Sequence, residues 1–311
     1  MTKRKDRYAV ACLSGDGIGP ELMAEASRAL AEAGRLHGFR VDEVHVPFAG
    51  EAVSRHGHPL PASTRTACKA ADAVLVALTR EPALEGVKAE LDLSWRVQRV
   101  RLSDGDLAVV SPLDDEMEPF VVRRAFELAR SRRARVTAVG DGTEWHTFVS
   151  WEAEQHPGTE VERLTLAEAL PLLMNEPERF CVVVTQRGHA ELVSDLAAAS
   201  RNGARIVASG RLSQTGPGIF GPTHGSAPDI AGQGVANPSG MLLAAALMLG
   251  EGLGERAAAR TLERAISDAL AEGWRTPDVA GSGLAATTRD FMDAVLGLMP
   301  TARTDVEFSA A

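Results

Sequence analysis

Apolar and polar positions along the chain follow two periods. Strand-length apolar runs stand at Tyr8–Leu13, Ala73–Leu78, Asp106–Ser111, Arg135–Gly140, Phe180–Thr185 and Ala204–Ser209, with a more polar one at Arg40–Pro47. Between them lie stretches of helical character: Glu21–His37, Ser63–Ala71, Pro119–Arg132, Thr147–Gln155, Leu166–Met174 and a helix from near Ala190. The last third adds Ser239–Gly250, rich in alanine and leucine and expected to be buried on most sides, then Glu255–Glu272 and Thr287–Leu298. Pro20 suits the first turn of its helix, where a missing N–H costs nothing, and Glu21 complements the helix dipole. Strands alternating with helices predict an α/β fold with parallel strands. There is no internal repeat or low-complexity linker, and the tail Thr301–Ala311 is expected to fray.

One stretch escapes both periods. Gly218–Ser239 holds glycines at 221, 225, 232 and 234 and prolines at 222, 228 and 238 around His224, Ser226, Asp229 and Asn237. Glycine permits close approach and unusual backbone angles, and proline fixes chain direction. An ordered polar loop of this length is expected to bind something rather than merely connect elements. A second glycine-rich turn, Gly15-Asp16-Gly17-Ile18-Gly19-Pro20, ends the first strand. Its last glycine falls one position early for a Rossmann fingerprint and precedes proline, so it serves a different turn.

Composition narrows the function classes. At 311 residues the chain can bury a large core and form two domains. Hydrophobic content of 45% with 24% charged residues is that of a soluble globular protein. A formal net charge of −9 argues against nucleic acid or an anionic membrane as the main partner. The Lys3-Arg4-Lys5 cluster precedes too short an apolar run for a signal peptide, and Met241–Leu249 is too short to span a bilayer. Cys12, Cys68 and Cys181 form no paired framework, which suits a reducing cytoplasm.

Read through its motifs, the chain resembles the β-decarboxylating dehydrogenases, the family of 3-isopropylmalate, isocitrate, homoisocitrate and tartrate dehydrogenases. His224-Gly-Ser-Ala-Pro-Asp-Ile-Ala-Gly-Gln-Gly-Val-Ala-Asn237-Pro is similar to their adenosine-binding loop, and Gly15-Asp-Gly-Ile-Gly-Pro-Glu21 to their N-terminal motif. The resemblance implies a two-domain isopropylmalate dehydrogenase-like α/β fold with a parallel or mixed central sheet, which is not a Rossmann domain. Residues 1–93 with 201–311 would form the nucleotide domain, and 94–200 the substrate and dimerisation domain. It also implies that NAD lies along Ile18, His224, Gly225, Ser226, Ala227, Asp229 and Asn237. Asp229 would accept from ribose hydroxyls and repel a 2′-phosphate, favouring NAD over NADP.

The catalytic half departs from the family pattern. Asp141 stands where the family lysine belongs, Thr143 where an asparagine belongs, and Ser111 where a clamp arginine belongs. The one tyrosine of the chain is Tyr8, in the first strand, and the hairpin arm that carries the family tyrosine is missing. Glu191 and Asp195, four residues apart on one helical face, resemble the metal carboxylates and suit Mg²⁺ or Mn²⁺; the alternative for Glu191 is a solvated carboxylate at a helix start. A further metal ligand from the partner subunit falls at Ala167 or Glu168. Arg101 fits the acid clamp, with Arg96 and Arg99 as neighbours, since guanidinium pairs bidentately with carboxylate; the alternative is a solvated basic face. Asp141, given burial, and His189 or His146 are the candidate proton carriers.

These residues imply an NAD-dependent oxidoreductase for a small acidic 2-hydroxy acid, with unusual catalytic groups and a homodimer or a related subunit as partner. Two other readings stand beside it: a catalytically silent NAD-binding regulatory subunit, and a family member that uses the nucleotide for non-redox chemistry.

Overall fold

The computed structural model describes residues 5–78, 82–103, 105–114, 119–200, 203–280 and 286–300, without the side chains of 203–205 and 280. The basic cluster at residues 3–4, most of the acidic stretch 114–118 and the tail 301–311 lie outside the described residues. The chain divides into two compact units, residues 1–92 with 215–311, and residues 93–214.

The first unit begins with β1 (Arg7–Leu13), α1 (Gly19–His37), β2 (Arg40–His45), α2 (Ala49–His56), α3 (Ala62–Ala70), β3 (Ala73–Val76) and α4 (Leu84–Lys88). The chain then builds the second unit from β4 (Trp95–Leu102), β5 (Asp106–Pro112), α5 (Pro119–Arg130), β6 (Arg135–Val139), α6 (Thr143–Gln155), β7 (Glu160–Leu164), α7 (Leu166–Asn175), β8 (Val182–Thr185), α8 (Arg187–Ala199) and β9 (Gly203–Leu212). It returns to the first unit with β10 (Gly218–Pro222), α9 (Ser239–Leu247), α10 (Arg256–Ala271), α11 (Pro277–Ala280) and α12 (Thr288–Leu298).

In the first unit the strands run in the order β2-β1-β3-β10 and every pair is parallel. Parallel strands need helices as crossovers, and α1 meets that need. Leu22, Met23, Ala26, Ala29, Leu30 and Ala33 recur at helical spacing and are all buried. Gly38, at φ +75°, stops the helix with a left-handed cap. Helix α9 is buried at every position, as the apolar run Met241–Leu247 requires of most of it. It runs into a π-helical turn, Met248–Gly252, in place of the continuous α-helix to Gly250 that the apolar run predicts. Tyr8 is sealed in this core, donating from Oη to Oε1 of Glu255 at 2.9 Å and packing edge-on to Phe39.

In the second unit the order is β9-β4-β5-β8-β6-β7. β4 is antiparallel to both neighbours, while β5, β8, β6 and β7 are mutually parallel, so the sheet is mixed. One face is packed by Val100, Leu107, Val109, Phe180, Val183 and Val193, with α7 and α8 over it. The expected division differs at the second crossing. Residues 203–212 go with the second unit, not the first, because β9 pairs with β4 from Trp95↔Leu212 to Val100↔Val207.

Other expectations shift for local reasons. β4 is not apparent as a strand in the sequence, because Arg96, Arg99 and Arg101 mask its alternation. The helix expected from Thr147 begins at Thr143, directly after Gly142 at φ +106°, and the one expected near Ala190 begins at Arg187. The short α2, α4, β7 and β10 are further elements that the apolar pattern does not announce. Among the described residues, no helix is long and apolar enough to cross a membrane.

Candidate functional site

The two glycine-rich stretches of the first unit are fastened to each other. At Gly17, φ is +61° and an added Cβ would stand 1.9 Å from the Ser226 carbonyl oxygen, so no side chain fits there. Ile18, buried at the start of α1, donates its N–H to that same carbonyl at 2.9 Å. Asp16 turns away and accepts from the N–H groups of Gly50 and Glu51 at 2.8 and 3.1 Å, capping α2. One turn into α1, Glu21 accepts from the N–H of Gly234 at 3.3 Å. The far end of the loop is held by α12, where Thr288 donates its N–H to Gly234 and its hydroxyl to the carbonyl of Ala236, at 2.8 and 2.7 Å.

Within the loop, some polar groups are committed and others are left open. His224 Nδ1 lies 3.0 Å from the Gly225 carbonyl, which can only accept, so that nitrogen carries the proton. Ala227 holds φ +36°, a left-handed angle that costs a non-glycine residue about 1–3 kcal/mol and is typical of ligand clamps. Asp229 keeps its side chain exposed while its carbonyl accepts from Gln233 Nε2 at 2.7 Å. Asn237 receives the Ser239 N–H on Oδ1 at 2.8 Å, and its own N–H is held by Asp278 at 2.9 Å. The first bond orients the side-chain amide and the second holds the backbone; Nδ2 is buried with no acceptor among the described residues. A buried donor without a partner costs about 1–3 kcal/mol, which an acceptor on a bound ring would recover. Ile18, His224, Gly225, Ser226, Ala227, Asp229 and Asn237 thus belong to one assembly, with a donor left for a ligand. Glu21, Asp278 and Thr288 complete it without being evident from the sequence; for Glu21 the sequence signals only a helix-dipole role, although it ends the N-terminal motif.

The candidate residues of the second unit gather less well. Arg96 is buried and its Nη1 meets Oε1 of Glu191 on α8 at 3.0 Å, so an acid-clamp candidate and a metal-ligand candidate hold each other. Arg99 meets Asp106 Oδ2 at 2.5 Å, and Arg132 reaches the same oxygen at 3.0 Å. Alternate residues of a strand face opposite sides. Arg96 goes to α8 and Arg99 to the Asp106–Arg132 cluster, so the two do not form one clamp. Arg101, half-buried, stands opposite Asp106 in the β4–β5 register. Burial alone would raise the Asp106 carboxyl, but the flanking guanidinium groups prevail and lower it to about 2. Ser111 is buried on β5 opposite Arg96.

Asp141 follows β6 and is exposed, so the enclosure that a base role there calls for is absent. Its carbonyl accepts from Gln186 Nε2 at 3.2 Å. His146 is exposed on α6. His189, in the first turn of α8, is half-buried and its Nδ1 is sealed from solvent without a partner. Glu191 and Asp195 are exposed one turn apart on α8. Glu168 serves its own helix: its Oε2 accepts from Thr165 N and Oγ1, both at 2.8 Å, in a capping box that starts α7. The backbone bond first, then the hydroxyl, lowers its carboxyl below the ordinary range.

Within this one chain, the donor set falls short of what Mg²⁺ or Mn²⁺ takes. Such ions take about six oxygen ligands. Here one carboxylate is already neutralised by Arg96, and no third Cys, His, Asp or Glu atom joins the pair among the described residues.

Comparison with known proteins places this geometry in a family. The profile of the isocitrate/isopropylmalate dehydrogenase family matches residues 9–97 and 109–295. The 3-isopropylmalate dehydrogenase of Synechococcus sp. is 33% identical over 89% of this chain and 95% of its own length. The chloroplastic 3-isopropylmalate dehydrogenase 1 of Arabidopsis thaliana is 31% identical over 90% of this chain and 83% of its own. The crystal structure of the apo β-decarboxylating dehydrogenase from Thermococcus kodakarensis superposes with a TM-score of 0.78 at 26% identity, covering 94% of this chain and 96% of that one.

Proposed function

Because the chain belongs to the isocitrate/isopropylmalate dehydrogenase family, we propose that it is an NAD-dependent oxidoreductase acting on a small acidic 2-hydroxy acid. The observation that carries this reading is the assembly of Ile18, Ser226 and Asn237, in which a buried amide donor waits beside a loop pinned at both ends. Ile18, His224–Ala227, Asp229 and Asn237 hold the dinucleotide, and Asp229 accepts from its ribose hydroxyls. When bound, NAD supplies the hydride acceptor. In the second unit, Arg96, beside Glu191 on α8, offers its guanidinium group to a substrate carboxylate, while Arg101 faces the other side of β4. His189, half-buried in the first turn of α8, takes the proton of the hydroxyl being oxidised. No step is assigned to a divalent cation.

The test joins thermal shift to turnover. NAD should raise the melting temperature more than NADP, and nicotinamide absorbance should change with at least one member of a panel of 2-hydroxy diacids. Asp229→Lys should narrow the NAD preference by about tenfold, or 1.4 kcal/mol. Equal shifts by both nucleotides, or none, would remove the NAD assignment. The second reading, a silent NAD-binding subunit, draws support from the exposed Asp141 and from the Arg96–Glu191 pair. NAD stabilisation without turnover across the panel would select it. The homodimer belongs to the same proposal and is read by light scattering, with a monomeric mass counting against it.

A further inference from the structure

Away from the nucleotide loop, the edge of the first unit's sheet brings together three side chains of metal-ligating type. Cys12 on β1 and His45 on β2 are directly paired in the parallel register. Glu43 lies two residues before His45, so its side chain points to the same face. That is the face α1 covers, since Ser27 donates its hydroxyl to Glu43 Oε2 at 2.5 Å. His45 Nε2 stands 3.0 Å from the same oxygen. The Cys12 sulfur, a carboxylate oxygen of Glu43 and a ring nitrogen of His45 all lie within 4.8 Å of one another, the one such trio among the described residues.

We propose that Cys12, Glu43 and His45 form a binding site for a thiophilic divalent cation of the zinc class. Thiolate, imidazole and carboxylate together suit Zn²⁺ or Co²⁺, whereas the sulfur disfavours Mg²⁺ and Ca²⁺. Three protein ligands leave a fourth tetrahedral position for water. Bond lengths of about 2.0–2.3 Å require the donors to draw closer than they stand. The two residues that must move are suited to it: the His45 side chain is 57% exposed, and Glu43 is long. Cys12, by contrast, is buried and fixed. Ser27 then steadies the carboxylate from behind, as outer partners of metal ligands do.

The charge of the bound ion can be balanced by its ligands. Binding forms a metal–sulfur bond and releases the thiol proton to solvent. The thiolate and carboxylate then balance the two positive charges of the ion, so the half-buried site carries no net charge.

Metal-stripped full-length protein titrated with Co²⁺ tests this. The expected result is a sulfur-to-cobalt charge-transfer band with intense tetrahedral visible bands, saturating at one ion per chain. Zn²⁺ should displace it and Mg²⁺ should not. Cys12→Ser should abolish the charge-transfer band, whereas Cys68→Ser and Cys181→Ser should keep it. His45→Ala, at an exposed position that cannot unfold the core, should weaken Co²⁺ binding by about tenfold or more, and Ser27→Ala by a smaller factor. No sulfur band in the wild-type protein, its survival in a folded Cys12→Ser variant, or unchanged affinity in His45→Ala would each overturn the proposal.

Discussion

At the scale of single residues, the decisive contact is the one between Gly17 and the Ser226 carbonyl. Gly17→Ala places a methyl group inside that oxygen's radius and asks for a left-handed angle as well. The expected outcome is a loss of about 1–3 kcal/mol in denaturant unfolding together with loss of NAD-induced stabilisation. A variant with wild-type stability and NAD response would show that the two loops need not touch. Arg96 carries the second residue-scale prediction. Its guanidinium neutralises Glu191, so Arg96→Met should raise Mn²⁺ affinity several-fold in paramagnetic titration, from a weak starting value. Tight binding by the unaltered chain would return Glu191 and Asp195 to metal duty. The nucleotide loop is readable in the sequence because its chemistry is local: His224, Ser226 and Asn237 sit in one unbroken stretch. The arginines are not, because a strand's alternation and its cross-strand partners decide where each one goes. Asp106, which takes up Arg99, is met only once β4 and β5 are paired.

At the scale of elements, most strands and helices are legible where burial follows a simple period. α1 and the largely apolar α9 are examples, and so is β6. β4 is hidden because three arginines occupy it, and the partners of two of them, Glu191 for Arg96 and Asp106 for Arg99, are met only through tertiary pairing. β9 is legible as a strand but not as a member of the second unit, since membership depends on which neighbour it pairs with. Helix α7 illustrates a feature that sequence does carry: Thr165 and Glu168 are spaced as a capping box. Thr165→Ala should cost about 1 kcal/mol in unfolding free energy, read from the denaturant midpoint. If the cost were nil, the carboxylate of Glu168 would have to find its stabilisation elsewhere.

At the scale of the whole molecule, the buried charges set a limit in acid. Asp106 has a folded-state carboxyl near 2, below its ordinary value of 3.8, owing to Arg99 and Arg132. A depressed carboxyl contributes stability that is fully present above its unfolded value and is lost as pH falls through the folded one. The contribution of about 2 kcal/mol should therefore disappear between about pH 4 and pH 2. Asp106→Asn should flatten that part of the pH–stability curve while lowering the plateau at neutral pH. An unchanged acid limb would mean that other carboxylates dominate it.

The clasp between Gly17, Ile18 and Ser226 also bears on the thermodynamics of ligand capture. A loop that is already fastened at Ser226, Gly234 and Asn237 has little conformational freedom left to surrender. The heat capacity change on NAD binding should then reflect only the surface the nucleotide itself covers, far below the value for a segment that folds on contact. Calorimetry at several temperatures would read this as a shallow slope of binding enthalpy. Capture of this kind directs its interaction energy to affinity rather than to ordering the chain.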